Sequence, residues 1–480
     1  MLTESIALSC CGALLGIFLA IAGTRLLAGL NTFKIPLLST VQMDAASLAF
    51  SLLVALITGL LFGLAPALQI PFTSVHNSLK DSSRAATGTI RHVWIRSTLV
   101  VSEIVFACVL LVGAGLLSRS FLNVLSIDLG FQPERAAALR VDPATDFASQ
   151  SQRDTYYSQV LDRVRSLSGI RAAGLTDVLP LAGDRSWAVT AQGKFFPRGQ
   201  FPEGFIRIVS DGYLKAMGIP LRRGRGFTER DNRTGEPVAL VNETLARTLW
   251  PGQDAIGQIL MAEGSQPPGR RVVGVVGDVR HRAPEQDSGC ELYMPILQRG
   301  ESTIYLIVRT ALPPAALASS VRAALRSIAP GLSNNEFTTI QELVDKSVSP
   351  RRFIVGLLGG FSTFALILAA LGIYAVISYS VSQRTTELGI RMALGATVQN
   401  LQSRILLQTL SLAATGMILG SCAAWFLSRA LGGLLFGITS SDPSTFLGAM
   451  GILTVVACLA SYLPALRVSK IEPMAALRAT

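Results

Sequence analysis

Residues 353–383, FIVGLLGGFSTFALILAALGIYAVISYSVSQ, decide the fold, because they form an apolar run without a single charged side chain. About 20 apolar residues are enough for a helix to cross the hydrocarbon core of a bilayer. This run therefore predicts a membrane-spanning helix.

Five further apolar runs accompany it and bring the predicted number of spans to six. Four of them also lack Asp, Glu, Lys and Arg: residues 5–24, 45–79, 405–428 and 443–464. The fifth, residues 97–121, is interrupted by Glu103 but is otherwise apolar through Leu117. The sequence thus predicts an α-helical transmembrane protein.

Composition points the same way. Half of the 480 residues are hydrophobic and only 15% are charged, whereas a soluble domain is about a quarter charged. The net charge of +11 does not indicate nucleic-acid binding, because the basic residues flank the apolar runs, which is typical of membrane helix ends. The six cysteines show neither a disulfide framework nor metal-ligand spacing.

The basic residues in the short connections predict the orientation, since Lys and Arg near helix ends favour the cytoplasm. They concentrate in three segments: Lys80, Arg84, Arg91 and Arg96; Arg384, Arg391 and Arg404; Arg467, Lys470 and Arg478. We therefore expect both termini to be cytoplasmic and the segment 123–350 to lie outside the cytoplasm.

The last two apolar runs repeat the first two. Residues 5–30 align on 409–434 without a gap, and residues 44–80 align on 442–478. The second copy follows a helix and a large outer segment, whereas the first begins at Met1. This asymmetry suggests the end of a longer duplicated protein, from a truncated or split gene.

A G-x-x-x-G pattern occurs in both copies, at Gly12 and Gly16 and again at Gly416 and Gly420. Such a pattern flattens one helix face and allows another helix to approach closely. A single copy could equally well be lipid-facing glycine, but its recurrence favours a role in helix packing.

Between residues 123 and 350 the pattern changes to mixed α and β. One predicted strand, helix and strand cover 136–141, 154–167 and 170–176, and a second set covers 303–308, 314–328 and 335–339. Two β-α-β halves suggest a ferredoxin-like layout. Short strands near 205–209, 237–241 and 271–276 predict a β-rich insertion, which makes this an α+β domain.

No catalytic, cofactor-binding or metal-binding set stands out. The phosphate-binding pattern G-x-x-x-x-G-K-[ST] is missing from the sequence, and His76, His92 and His281 do not fit a Ser/His/Asp arrangement. We therefore predict a protein that is not an enzyme and that depends on energy from elsewhere.

Glu103 is the one acid within a predicted span. An intramembrane carboxylate is a functional-site hypothesis by default. The structural alternative is favoured, because only six residues separate Glu103 from Arg96 and its side chain could reach the cytoplasmic face.

The segment 383–397, QRTTELGIRMALGAT, predicts a short amphipathic helix. Glu387 and Arg391 stand four residues apart, as in a stabilising helical ion pair. Gly395 can end this helix and Thr397 can cap the next one. The helix is either an interfacial element at the membrane or a docking element for a cytoplasmic partner.

Two sets of motifs resemble a known family. ELGIRMALGA at 387–396, with PALR at 464–467 and IEPMAALR at 471–478, is similar to the FtsX-like permease domain of MacB-type ABC transporters. GIPLRRGRGF at 218–227, VNETLAR at 241–247 and VVGVVGDVR at 272–280 resemble the MacB periplasmic core domain. The likeness extends over essentially the whole chain and is greatest to the C-terminal part of a duplicated MacB-type permease.

The resemblance implies a division into domains. These would be half an FtsX-like domain (1–80), a basic cytoplasmic linker (81–96), a transmembrane helix (97–122), the periplasmic core domain (123–350) and an FtsX-like permease domain (351–480) with a coupling segment at 383–403. It also implies that a separate ATPase binds ATP and moves the coupling segment, at Arg384, Glu387, Arg391 and Gly395. The chain itself would hold no cofactor.

The resemblance further implies a multi-pass protein of the bacterial cytoplasmic (inner) membrane that exports or extracts hydrophobic substrates. Expected partners are a cytoplasmic ABC ATPase, a second permease chain, a periplasmic adaptor or target protein, and membrane lipid, but no nucleic acid. Two alternatives stay open: a regulator that activates a periplasmic partner without transport, and a non-autonomous fragment of a duplicated permease.

Overall fold

We describe the protein from a computed structural model. It describes residues 2–29, 44–67 and 85–467, apart from 142–146, 184, 195, 198–200, 263–268, 301–302, 329–336, 384, 395 and 431. The chain divides into two compact units. One comprises residues 1–123 and 349–480, and the other is the core domain, residues 124–348.

The helices in chain order are α1 (Leu2–Gly29), α2 (Ala45–Ala67), α3 (Ala85–Leu125), α4 (Gln150–Arg165), α5 (Tyr213–Met217), α6 (Glu243–Leu249), α7 (Ile296–Arg299), α8 (Pro314–Leu325), α9 (Ile340–Gln383), α10 (Thr385–Ala393), α11 (Val398–Ala430) and α12 (Pro443–Arg467). The strands are β1 (Ala136–Arg140), β2 (Ile170–Thr176), β3 (Ser186–Ala191), β4 (Glu203–Val209), β5 (Leu221–Gly224), β6 (Val238–Asn242), β7 (Ile259–Ala262), β8 (Arg270–Val276), β9 (Cys290–Pro295), β10 (Tyr305–Thr310) and β11 (Thr338–Thr339).

Among the described residues, four helices are long and apolar enough to cross a membrane: α3 from Ser97 onward, α9, α11 and α12. The apolar parts of α1 and α2 are shorter, at Ser9–Arg25 and Ala45–Leu60. The protein is therefore an α-helical membrane protein with at least four candidate spans, and the count of six stays a prediction.

Two helices begin earlier than the sequence predicts. Helix α3 starts at Ala85, so residues 85–96 of the expected linker 81–96 are helical. This stretch contains no proline that would break a helix. Helix α9 starts at Ile340 and continues through Pro350.

A capping box fixes the start of α9. The Thr339 hydroxyl accepts a hydrogen bond from the Glu342 amide at 3.1 Å, and the Glu342 carboxylate accepts one from the Thr339 amide at 3.3 Å. This reciprocal pair satisfies two backbone N–H groups at the helix N-terminus. It explains why the helix begins at Ile340, 13 residues before the apolar run that starts at Phe353.

The membrane unit has an apolar core centred on α3. Val100, Ile104 and Val112 of α3 are buried with Ile373 of α9 and Leu453 of α12. Close packing of such side chains, rather than water exclusion, holds helices together in lipid.

The core domain is built on one sheet, which has eleven strands among the residues that the structure describes. Its strand order is β11-β1-β10-β2-β4-β3-β7-β8-β6-β9, with β5 beside β8, and β4 also pairs in parallel with β9. The two predicted β-α-β units are both present, and their four strands, β11, β1, β10 and β2, lie side by side. β1 pairs antiparallel with both β10 and β11.

The remaining strands form the β-rich insertion. Strands β4, β6 and β8 lie close to their predicted positions, whereas β3, β5, β7 and β9 were not predicted. Buried apolar residues of the insertion, such as Ile206, Val241 and Leu292, belong to the same core as Leu139 and Leu306 of the β-α-β units. The domain therefore has a continuous interior.

Candidate functional site

Helix α10 is the predicted coupling element. It spans Thr385–Ala393 and connects α9 to α11. Glu387 and Arg391 form the expected ion pair, at 2.5 Å between Oε1 and Nη2, with both side chains about half exposed. An exposed pair of this kind adds only about 0.3–0.5 kcal/mol, so its main effect is to orient the two side chains.

A cavity of about 290 Å³ lies between α10 and the facing ends of α9 and α11. Glu387 and Arg391 line it together with Arg404 of α11 and the apolar Ile377 and Val381 of α9. The lining of the cavity thus combines two cationic side chains, one anionic side chain and an apolar surface at one end of the helix bundle.

Exposed apolar residues lie next to this ion pair, at the C-terminal end of α10. Leu394, directly after the helix, is 82% exposed and Ile390 is 43% exposed, while Met392 packs against the membrane core. The predicted coupling residues Arg384 and Gly395 lie outside the described residues. Of the four predicted coupling residues, the structure therefore describes only Glu387 and Arg391.

The glycines of the second repeat copy face α3. A Cβ atom placed on Gly416 would lie 2.7 Å from Cγ2 of Ile104, and one on Gly420 would lie 2.6 Å from Cβ of Cys108. Both distances are too short for a real contact, so only glycine lets α3 and α11 approach this closely.

The glycines of the first copy have open surroundings. A Cβ atom placed on Gly12 or Gly16 would meet no heavy atom of the described chain within 4 Å. Both residues are exposed, whereas Gly416 and Gly420 are buried. The same motif therefore has two different environments in one chain.

Glu103 lies against α9. A Cβ atom at Gly372 would lie 2.0 Å from Oε2 of Glu103, so the glycine makes room for the carboxyl group. This oxygen is buried and has no hydrogen-bond partner among the described residues. The sequence analysis identified Glu103 but gave no signal for Gly372.

At the other end of α3, Arg119 contacts Asp442 and Ser444 at the start of α12. Asp442 caps this helix by accepting hydrogen bonds from the amide and hydroxyl of Thr445, at 3.1 and 2.6 Å. Together with the Ser444 hydroxyl and Arg119, these bonds hold the pKa of Asp442 below its usual range. The sequence analysis noted Asp442 only as a repeat position.

The core domain contains a buried polar cluster that the sequence did not predict. His281 is 4% exposed and contacts Glu291, which also accepts a hydrogen bond from the Tyr293 hydroxyl at 2.7 Å. Arg207 is fully buried nearby. Burial and the Arg207 charge lower the pKa of His281 well below its ordinary value, and burial raises the pKa of Tyr293 well above its own.

None of these groups forms a metal site of three or more His, Cys, Asp or Glu side chains within the described part of the chain. The geometry of the membrane unit is that of a packed helix bundle with an exposed connecting helix. The exposed side chains of this connecting helix form a surface that another protein can contact.

Comparison with known proteins identifies both parts of the chain. Residues 97–328 match the MacB-like periplasmic core domain, and residues 359–473 match the FtsX-like permease C-terminal domain. The chain is therefore a membrane protein of the permease class. It carries both domains of the MacB/FtsX-like ABC transporter permease family and belongs to that family.

Individual relatives agree with this assignment. The chain is 27% identical over 304 residues to the macrolide export ATP-binding/permease protein MacB 2 of Aeromonas hydrophila, which covers 60% of this chain and 45% of the relative. It is 23% identical over 418 residues to a protein of the same type, MacB, from an Azoarcus species, which covers 84% of this chain and 60% of the relative. The chain thus spans about half the length of such relatives.

Among solved structures, the periplasmic region of MacB from Actinobacillus actinomycetemcomitans is similar. The match covers 46% of this chain and 95% of that structure, at 16% identity and a TM-score of 0.32.

Proposed function

We propose that this chain is the permease subunit of a MacB-type ABC transporter that transmits motion from a separate cytoplasmic ATPase to the core domain. The observation that carries the proposal is α10. It is a short connecting helix with exposed Ile390 and Leu394 at its C-terminal end and the Glu387–Arg391 pair on its surface. A partner protein that covers Ile390 and Leu394 would remove their apolar surface from water, which favours binding.

The helix that precedes α10 suits transmission. Helix α9 is continuous over 44 residues, about 66 Å at 1.5 Å per residue. The Ser362 hydroxyl also donates a hydrogen bond to the Leu110 carbonyl of α3 at 3.0 Å. A displacement of α10 would therefore move a long element that is tied laterally to α3.

The same proposal includes the class of transported substrate and the side of the membrane on which each part of the chain lies. Relatives are named for macrolide export, and we infer export or extraction of hydrophobic substrates, with the core domain periplasmic and both termini cytoplasmic. ATP would be bound by the partner subunit. The basic residues beside the apolar runs support this orientation.

The docking step can be tested by co-purification of the full chain with the ATP-binding portion of a MacB relative. Covering Leu394 would contribute about 1.5–3 kcal/mol, so Leu394→Asp should reduce the co-purified ATPase at least tenfold. Gln399→Asp adds the same charge five residues away, at an exposed position of α11, and serves as the matched control. Equal recovery with both variants would remove α10 as the docking element.

A further inference from the structure

The two repeat copies differ in one structural respect. In the second copy, α3 contacts both α11 and α12. Its residues Ile104 and Cys108 lie against Gly416 and Gly420. Further along α3, Gly115 lies against Thr445, whose Cγ2 would be 2.6 Å from a Cβ atom at Gly115.

Arg119 completes this line of contacts by reaching Asp442 and Ser444. Ile104 and Arg119 are 15 residues apart, about 22 Å along a helix. One face of α3 thus combines close packing in the apolar region with an ion pair at the far end, and both depend on residues that the repeat duplicates.

In the first copy, the equivalent positions surround an open groove. A cavity of about 460 Å³ runs between α1 and α2 and is lined by Gly16, Ala20, Asp44 and Ser47. The repeat alignment pairs these four with Gly420, Ala424, Asp442 and Thr445. Gly420 and Ala424 are buried, whereas Gly16 and Ala20 are exposed.

The carboxylate at the end of this groove also differs from its counterpart. Asp442 accepts hydrogen bonds from Thr445 and contacts Arg119. Asp44 accepts a hydrogen bond from the Ala46 amide at 3.3 Å, and no arginine of the described chain is within ion-pair distance of it. An apolar lipid chain could fill the groove but would leave this carboxylate without a cation.

We propose that the groove between α1 and α2 is a docking site for a transmembrane helix of a separate polypeptide. This helix would present a small side chain to Gly16 and an arginine to Asp44, as Cys108 and Arg119 of α3 do at Gly420 and Asp442. A second molecule of the same chain fits less well, because Ile104 and Cys108 of its α3 are already buried against its own α11.

The inference is independent of the proposed coupling function, since it uses no residue of α10. Its test uses a synthetic peptide of residues 97–125, carrying a fluorescent donor, and the full chain carrying an acceptor at its amino terminus, in phosphatidylcholine vesicles. We expect saturable energy transfer. Gly16→Leu should weaken the apparent affinity at least tenfold, because the new side chain fills the groove.

Gly23→Leu is the matched control. Position 23 aligns with Leu427, which is exposed, and a Cβ atom at Gly23 meets no described heavy atom within 4 Å. This variant should bind the peptide as the unmodified chain does. Arg119→Ala in the peptide should weaken binding, and Asp44→Arg in the chain combined with Arg119→Asp in the peptide should restore it.

Three results would overturn the proposal. Binding that is equal for Gly16→Leu and Gly23→Leu would place the peptide elsewhere. If no saturable energy transfer from the peptide is observed, the groove between α1 and α2 is occupied by lipid. Donor-labelled and acceptor-labelled full chains can also be mixed. Energy transfer between them that is abolished by Gly16→Leu would identify a second copy of the chain as the occupant instead.

Discussion

Gly420→Ala is the sharpest test of how α3 and α11 pack. The added Cβ would lie 2.6 Å from Cβ of Cys108, and such overpacking typically costs about 1–3 kcal/mol. Alanine also favours the helix over glycine by about 1 kcal/mol. The two effects oppose each other, so the net change should range from no effect to a loss of about 2 kcal/mol.

Gly448→Ala in α12 isolates the helix-propensity effect, because no described heavy atom lies within 4 Å of its added Cβ. We therefore expect the free energy of unfolding of Gly420→Ala to lie about 1–3 kcal/mol below that of Gly448→Ala, measured by SDS titration of the detergent-solubilised chain with circular dichroism.

Cys108→Gly removes the atom that the new Cβ would meet. The double variant Gly420→Ala with Cys108→Gly should therefore recover much of the loss, and the four proteins form a double-mutant cycle. If Gly420→Ala and Gly448→Ala had the same stability, or if Cys108→Gly gave no recovery, the close approach of α3 to α11 would be refuted.

Three further predictions concern the ends of the bundle and the core domain. The interactions that lower the pKa of Asp442 in the fold stabilise the protein at pH values above the unfolded pKa, near 4. This stabilisation is lost as the pH falls through the pKa of the folded state. The difference in thermal midpoint between the unmodified chain and Asp442→Asn should therefore shrink from pH 5 to pH 2; a constant difference would contradict this. His281 stays neutral in the fold, so the unfolded chain binds the additional proton and stability falls as the pH drops below about 6.5. His281→Gln should reduce this dependence between pH 7 and 5 in urea unfolding followed by tryptophan fluorescence, whereas an unchanged slope would exclude His281 as its source. Gly174→Ala would place a Cβ 2.4 Å from the Tyr213 amide nitrogen and should lower the free energy of unfolding by about 1–3 kcal/mol, while Gly226→Ala, with open surroundings, should change it little.

The long elements were the most predictable from the sequence. Apolar length alone located α9, α11 and α12, and the 3.6-residue periodicity located α4. The start of α9 was missed because the prediction relied on the apolar run that begins at Phe353, whereas the capping box of Thr339 and Glu342 lies in the polar sequence before it.

Strand β9 shows why part of the insertion was not predictable. Its sequence, CELYMP, contains Glu291 and Pro295, two residue types that are depleted in strands. The strand forms because its partner β4 is nearly fully buried and because Tyr293 donates a hydrogen bond to the buried Glu291. The pairing with β4 comes from residues more than 80 positions away in the sequence, so local propensity gives no sign of it.

The candidate site was predictable only in part. The spacing of Glu387 and Arg391 predicted their ion pair correctly. The G-x-x-x-G motif is identical in the two copies, so the sequence gave no reason to expect that Gly420 is buried while Gly16 is exposed. That difference depends on whether another helix lies alongside, which is a property of the assembly and not of the motif.

The pairing of β1 has a consequence for how the protein is made. Ala136 pairs with Arg309, and Ala137 pairs with Thr339, so the first strand emerges long before its neighbours exist. At roughly 5–20 residues per second, the ribosome needs about ten to forty seconds to supply both of them. During that interval an unpaired, apolar strand edge is exposed beyond a membrane helix that has already been synthesised. Until β10 and β11 have been synthesised, this edge remains available for pairing with other unpaired strands.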